Sequence, residues 1–293
     1  MKIAVYGREF QPSAIPYVQH LFDILKARGA ELWVYNDFRQ FLQQLTLPDG
    51  VLGFSSRSEL PEDVAFMLSL GGDGTMLAAV SIVGDSGIPV AGVNLGRLGF
   101  LADINKDAID SALEAIFRGE YNIQKRTLLS VRSEQKPLFR SHPYALNDIT
   151  VFKSDSSAMI TVSVYLDGEL LNAYWADGII VATPTGSTAY SLSCGGPIIM
   201  PGSGNFVITP ISPHNLNVRP VVISDNIELD LVIESRSGKF LLSCDSQTTS
   251  VSTDIRLKVS KALHQVHLIR LKNYSYFSNL RNKLLWGLDA RNY

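Results

Sequence analysis

Apolar and polar positions follow two regimes along this chain. Up to about residue 120, short apolar runs are interleaved with segments in which apolar residues recur every three or four positions. Ile3–Tyr6 reads as a strand closed by Gly7. Ile15, Val18, Leu21, Phe22 and Leu25 share one face of a helix, and Gly29 suits the position just past its end. Leu32–Tyr35 reads as a second strand, and Phe38, Phe41, Leu42 and Leu45 as a second helical face. Val64–Leu70 and Ile88–Asn94 are further strands. Thr75–Val83 and the stretch marked by Ile109, Leu113, Ile116 and Phe117 are further helices. Strand and helix in alternation predict an α/β domain over residues 1–120, its sheet mostly parallel and covered by helices.

Beyond residue 121 the helical period nearly vanishes. Short β-rich runs replace it, among them Thr127–Arg132, Ala145–Lys153, Met159–Leu166, Ile179–Thr183, Val221–Ile223, Ile227–Ile233, Phe240–Cys244, Ile255–Val259 and Val266–Leu271. Asp167-Gly168 is a hairpin turn signal. Residues 121–274 are therefore expected to form an all-β, sandwich-like domain behind a Rossmann-like first one. Tyr276–Leu285 regains helical spacing, and the segment 275–293 is expected to pack back on the first domain.

Composition narrows the function classes. The chain has 293 residues, 46% hydrophobic and 18% charged, enough for two real cores. A net charge of −2 gives no electrostatic case for nucleic acid. No apolar run approaches the roughly 20 residues of a membrane span. The start, Met1-Lys2-Ile3-Ala4-Val5, reads as a strand rather than a secretory leader, and two cysteines, Cys194 and Cys244, read as ordinary thiols. A cytoplasmic protein without membrane or nucleic-acid partners is the expectation.

The candidate chemistry lies in three places. Gly71-Gly72-Asp73-Gly74-Thr75 follows the apolar run Val64–Leu70 and precedes a helical pattern. Three glycines let backbone N–H groups approach a ligand closely, and a helix N-terminus favours anions. A carboxylate repels phosphate, so Asp73 suits a general base or a hydroxyl-orienting charge, or else a plain helix N-cap. The loop has no Lys and matches neither the P-loop nor the G-x-G-x-x-G pattern. The second place is 177–197, Asp177-Gly178 followed by a buried strand and the hydroxyl-rich Thr183-Pro184-Thr185-Gly186-Ser187-Thr188-Ala189-Tyr190. A helix is expected from Ser187 onward. Its hydroxyls can bind ribose or phosphate oxygens, or can satisfy their own backbone. The third is Asn147-Asp148, two polar residues inside a β-run that need partners.

Taken in order, with Leu95-Gly96-Arg97-Leu98-Gly99-Phe100 between the first and third places and Gly195-Gly196-Pro197 after the second, these motifs resemble those of the bacterial NAD kinases over about residues 1–285. The resemblance implies transfer of the γ-phosphoryl of ATP, with Mg²⁺, to the 2′-hydroxyl of the adenosine ribose of NAD. It implies Asp73 as the base on that hydroxyl, with Gly71, Gly72, Gly74 and Thr75 on the ATP phosphates. On the dinucleotide it implies Asp73, Gly74, Phe100, Asn147, Asp148, Trp175, Asp177, Thr188, Ala189, Tyr190, Ser191, Leu192, Ser193 and Gln247. Asp148 stands where Glu is usual, Trp175 where Arg is frequent, and Ala78 where many relatives carry Lys or Arg. A homo-oligomer, dimer or tetramer, is also implied, with the β-rich domain carrying the interface.

No His, Cys or carboxylate cluster has metal-site spacing, so the ion is expected to arrive with ATP and to be held by phosphate and water. Three alternatives share parts of these motifs: a kinase acting mainly on NADH, a lipid or sphingoid kinase, and a non-catalytic NAD(H)-binding sensor. Asp73 speaks against the sensor, and the lack of a basic amphipathic segment against the lipid kinase.

Overall fold

The computed structural model describes residues 1–96, 99–139, 143–155 and 158–287; Arg97 and Leu98 of the Gly-rich motif, and the last six residues of the expected C-terminal return, lie outside this set. The chain divides into two compact units, Met1–Gln124 together with the stretch from His267, and Lys125–Val266.

The first unit runs β1 (Lys2–Gly7), α1 (Ile15–Ala27), β2 (Glu31–Tyr35), α2 (Asn36–Phe41), β3 (Leu52–Phe54), β4 (Phe66–Leu70), α3 (Asp73–Val83), β5 (Val90–Asn94), β6 (Ile104–Asn105) and α4 (Ile109–Phe117). Strands β5, β4, β1, β2 and β3 lie side by side in that order, all parallel. Helices can cover both faces of such a sheet, so β4 and β5 are buried along their whole length and carry no alternation. Val18, Leu21, Phe22 and Leu25 of α1 pack into this core with Ile3, Val5, Val34 and Leu68. The α1 face anticipated from spacing is thus the face that is buried.

The second unit contains β7 (Tyr121–Arg132, from Lys125), β8 (Tyr144–Ala145), β9 (Asp148–Lys153), β10 (Ile160–Leu166), β11 (Glu169–Ala176) and β12 (Gly178–Ala182). The short helix α5 (Tyr190–Ser193) follows, then β13 (Asn205–Ile211), β14 (Val221–Ser224), β15 (Leu229–Glu234), β16 (Lys239–Cys244), β17 (Gln247–Ser252) and the first part of β18 (Leu257–Leu271). From His267 onward β18 belongs to the first unit, as does α6 (Tyr276–Leu284). One antiparallel sheet has the order β14-β13-β12-β9-β16-β17, and β11, β10, β15 and β18 form another antiparallel run. Ile149, Val151, Val181, Phe206 and Leu242 of the former meet Val162, Val164, Leu231 and Val259 of the latter in one core.

Three local expectations change. The helix expected from Ser187 is only the four residues of α5, because Gly195-Gly196-Pro197 stops it. Strand β13 is an interior strand despite Pro210, whose residue pairs with Ile179. Strand β17 reads Gln-Thr-Thr-Ser-Val-Ser, too polar to signal itself; its pairing with β16 forms it.

Candidate functional site

In the first unit the Gly-rich stretch leaves β4 at Gly71, whose φ is +151° and whose Cβ, if present, would lie 2.4 Å from Thr75 Oγ1. Only glycine is accommodated there. Gly72 and Gly74 are exposed, and nothing lies within 4 Å of where their side chains would be. Helix α3 begins at Asp73; Thr75 N–H already donates to the Gly72 carbonyl at 3.0 Å, so it is the N–H groups of Asp73 and Gly74, ahead of any intrahelical bond, that suit an anion.

Asp73 is therefore the first helical residue, with Gly72 at the N-cap, and its carboxylate does not cap its own helix. It turns to the chain after β5. Phe100 N–H donates to Oδ2 at 2.8 Å, and Leu101 and Ala102 N–H donate to Oδ1 at 3.0 and 3.1 Å. Gly99 makes this approach possible, since a Cβ there would sit 1.9 Å from Oδ1. The same loop is held from the other end of the chain. Arg270 Nη1 donates to the Leu101 carbonyl at 2.9 Å and pairs with Asp103 at 2.7 Å. Lys283 lies 5.6 Å from the Phe100 ring centre. Arg270 and Asp103 gave no sequence signal, because their partners are set by the fold alone.

The second unit repeats the device with another carboxylate. Asp245, in the turn between β16 and β17, accepts from the N–H groups of Leu146, Asn147 and Asp148 at 2.8, 2.9 and 3.2 Å. Burial, with the nearby Asp148 charge, outweighs these donors and lifts its carboxyl to about 6. Asn147 is held from its other side too: its carbonyl accepts from Thr183 N–H at 2.9 Å, and Gly186 packs so closely that a Cβ would lie 2.0 Å from that oxygen. Asp148 is buried, which raises its carboxyl, while the Thr150 hydroxyl donates to it at 2.9 Å.

Around this strand end the fold gathers several of the anticipated residues. Burial is the main cause of the upward shift of the Tyr190 phenol, the neighbouring Cys194 adds to it, and the Asp148 and Asp177 charges contribute last. Asp177 is held through Oδ1, which pairs with Lys153 Nζ at 2.6 Å, and keeps acceptor capacity on its carboxylate. Trp175 is exposed, its ring 4.2 Å from that of His214. Gln247 opens β17, two residues past Asp245.

The hydroxyls of 183–191 mostly satisfy the protein itself. Thr183 donates to the Leu146 carbonyl, Ser187 to that of Pro184, and Thr188 to that of Thr185. Ser191 is buried against the Thr209 hydroxyl at 2.8 Å. Ala189, Leu192 and Ser193 lie at or near the surface beside Tyr190. Asp245 and Lys153 are the residues that motif reading missed; a buried-carboxylate turn in Asp245-Ser246 was the one legible hint.

Comparison with known proteins supplies the family. A model described as the ATP-NAD kinase N-terminal domain matches residues 3–121, and one described as the ATP-NAD kinase C-terminal domain matches residues 146–271. A protein named NAD kinase from Cytophaga hutchinsonii is 46% identical over 294 residues, covering 100% of both chains. NAD kinases of Flavobacterium psychrophilum and Bacteroides fragilis are 43% and 42% identical, covering 100% and 99% of this chain and all of theirs. Among solved structures, yeast NADH kinase with NADH aligns at TM-score 0.85 and 24% identity, over 99% of this chain and 89% of that one. The Archaeoglobus fulgidus NAD kinase with ATP aligns at 0.76 and 26%, over 97% and 99%. With both domain models matched in order and relatives aligned end to end, the chain belongs to the NAD kinase family and is an ATP-dependent kinase of that family.

Proposed function

We propose that this chain transfers the γ-phosphoryl of ATP to the 2′-hydroxyl of the adenosine ribose of NAD, giving NADP and ADP, with Asp73 as the base. The observation that carries the assignment is the Asp73 carboxylate, aimed by three backbone N–H groups and set beside two exposed glycines. A carboxylate has about four acceptor positions, so the three donors fix its orientation and leave one for a substrate hydroxyl. The exposed backbone of Gly72 and Gly74, at the open first turn of α3, suits donor phosphates. Phosphoryl transfer needs mostly positioning and charge stabilisation, and a base held in one orientation serves both.

Mg²⁺ is assigned to the donor triphosphate, where it neutralises phosphate charge. Phosphate and water are assigned as its main ligands in this reading. In the second unit, Asn147, Asp148, Asp177 and Tyr190, with Trp175 and Gln247, are assigned to the dinucleotide, as is Phe100 of the first unit. Asp148 and Asp177 accept from ribose hydroxyls or an exocyclic amine, and the exposed Tyr190 ring offers a stacking surface. Ser191 and Thr188 are reassigned to positioning this surface, since their hydroxyls face inward.

A homo-oligomer built through the second unit is supported by Leu170, Leu216, Val222 and Leu263, which are all exposed there. Light scattering tests it, and a monomer at assay concentration overturns it. A cytoplasmic location belongs to the same proposal; no helix among the described residues is long and apolar enough to cross a membrane. The function is tested by incubating the chain with ATP, Mg²⁺ and NAD and reading the product with an NADP-specific dehydrogenase. A signal from NADH in place of NAD redefines the acceptor; none from either refutes the assignment.

A further inference from the structure

Each of the three N–H groups that aim Asp73 belongs to a peptide whose other end is a carbonyl. The Ala102 N–H, which donates to Asp73 Oδ1 at 3.1 Å, shares its planar peptide with the Leu101 carbonyl. Arg270 Nη1 donates to that carbonyl at 2.9 Å. One flat group thus stands between a guanidinium and the carboxylate, bonded to each. Bonds in such a chain polarise one another, and the rigid plane passes the position of one end on to the other.

The sheet places Arg270 for this. Leu268 of β18 is in parallel register with Val90 of β5, so Arg270 and Gly92 stand two residues further along each strand. A Cβ on Gly92 would lie 2.7 Å from Ala102 Cα, so the absent side chain lets the 101–102 peptide settle against β5. The guanidinium is itself fixed. It is 3% exposed, Nη1 pairs with Asp103 at 2.7 Å, and Nε donates to Gln124 at 3.2 Å. Its central carbon lies 4.8 Å from the Tyr274 ring centre. Helix α6 adds a weaker hold on the same loop. Asn279 Nδ2 donates to the Gly99 carbonyl at 3.4 Å, and that carbonyl shares its peptide with the Phe100 N–H bonded to Asp73 Oδ2. A buried ion pair is a poor source of stability, because desolvation offsets its attraction. An apolar pair could not supply its directional bonds, and these end on the loop that aims Asp73.

We propose that Arg270 is a positioning residue for phosphoryl transfer, holding the Asp73 carboxylate in its working orientation through the Leu101–Ala102 peptide. The proposal rests on Asp73 being the base, which the Asp73→Asn variant tests separately. In this role Arg270 meets neither substrate, so its loss is felt in turnover and not in binding.

Arg270→Met keeps an unbranched stem and removes the donors. It is expected to lower kcat roughly tenfold or more, because a small misplacement of a catalytic group is costly. The KM for ATP and that for NAD should each stay within threefold. Arg270→Lys, which keeps a charge opposite Asp103, should recover part of the loss. Arg270→Met with Asp103→Asn leaves no buried charge unpaired and serves if a melting curve shows that the single variant misfolds. The decisive comparison repeats Arg270→Met in the Asp73→Asn background. A residue acting through Asp73 then has nothing left to position, so the residual kcat should change less than twofold. A strut that merely keeps the domain folded would slow both backgrounds alike, and that result overturns the proposal. So does a folded Arg270→Met variant with kcat within threefold of wild type, or a loss that appears as a raised KM. An Asp73→Asn enzyme with near-wild-type turnover refutes the base itself, and the proposal with it, whatever Arg270→Met does.

Discussion

Replacing Asp73 by Asn separates two jobs that one carboxylate performs. Oδ1 takes the Leu101 and Ala102 N–H groups and Oδ2 takes that of Phe100. An amide has one oxygen and one NH2. With its oxygen at the Oδ1 position, the NH2 faces the Phe100 N–H, donor against donor; turned over, it orphans two donors instead of one. The cheaper arrangement loses one hydrogen bond to a charged group, about 1.5–3 kcal/mol, and the partial exposure of Asp73 favours the lower end. That amounts to a fall of several degrees in the melting temperature. Loss of the base should lower kcat by roughly 10²–10⁴, about 3–5 kcal/mol in barrier. Both are read on one sample, by a melting curve and by initial rates at saturating ATP and NAD well below the melting point. The base assignment predicts a fall in kcat with the KM for ATP nearly unchanged, whereas simple collapse of the 99–102 loop would raise KM as well. A variant with kcat within threefold of wild type refutes the base, and an unchanged melting temperature refutes the clamp.

Gly99→Ala should mimic part of this defect with the carboxylate still present, because its Cβ would sit 1.9 Å from Asp73 Oδ1; steady-state kinetics should show kcat down at least about tenfold. Asp177→Asn should raise the KM for NAD several-fold and leave that for ATP alone. By breaking the 2.6 Å pair with Lys153, it should also cost about 1 kcal/mol in denaturant unfolding; equal effects on both substrates would move Asp177 out of the dinucleotide set. Asp245 has its carboxyl lifted from 3.8 to about 6, so the native state binds its proton more tightly than the unfolded chain. The resulting stabilisation is complete below pH 4 and lost as pH rises through 6, by at most about 3 kcal/mol. Unfolding of wild type and Asp245→Asn compared from pH 4 to 7 should show the pH dependence shrinking in the variant, and parallel curves would contradict the buried carboxylate.

Much of the fold and part of the site can be read locally. The α1 stripe, the fully apolar β4 and the Asp167-Gly168 turn, with φ of +49° and +86°, follow from periodicity and from the backbone freedom of particular residues. The Gly-rich stretch announces itself because glycines flanking a carboxylate at a strand end have few structural uses. Strands β13 and β17 were hidden, since Pro210 and a polar run suppress the local signal, and ladder pairing overrides it, on both sides for β13 and with β16 for the edge strand β17. The hydroxyl-rich stretch shows the opposite error. Ser and Thr bind ligand or backbone with the same groups, and composition does not say which partner is nearer.

What the sequence alone determined, then, is where chain elements begin and end and which residue types stand at strand ends: Asp73 after β4, Asn147-Asp148 at the head of β9, Tyr190 beyond β12. Those follow from interactions spanning a few residues. Tertiary structure decided what each polar group does. Asp73 meets Phe100, 27 residues on; Asp245 holds Asn147 from 98 residues away; Arg270 reaches Leu101 across 169. A hydrogen bond to a backbone N–H carries no side-chain signature in the donor's sequence, so these partners are chosen when burial of the cores brings distant segments together and every enclosed polar group must find a mate.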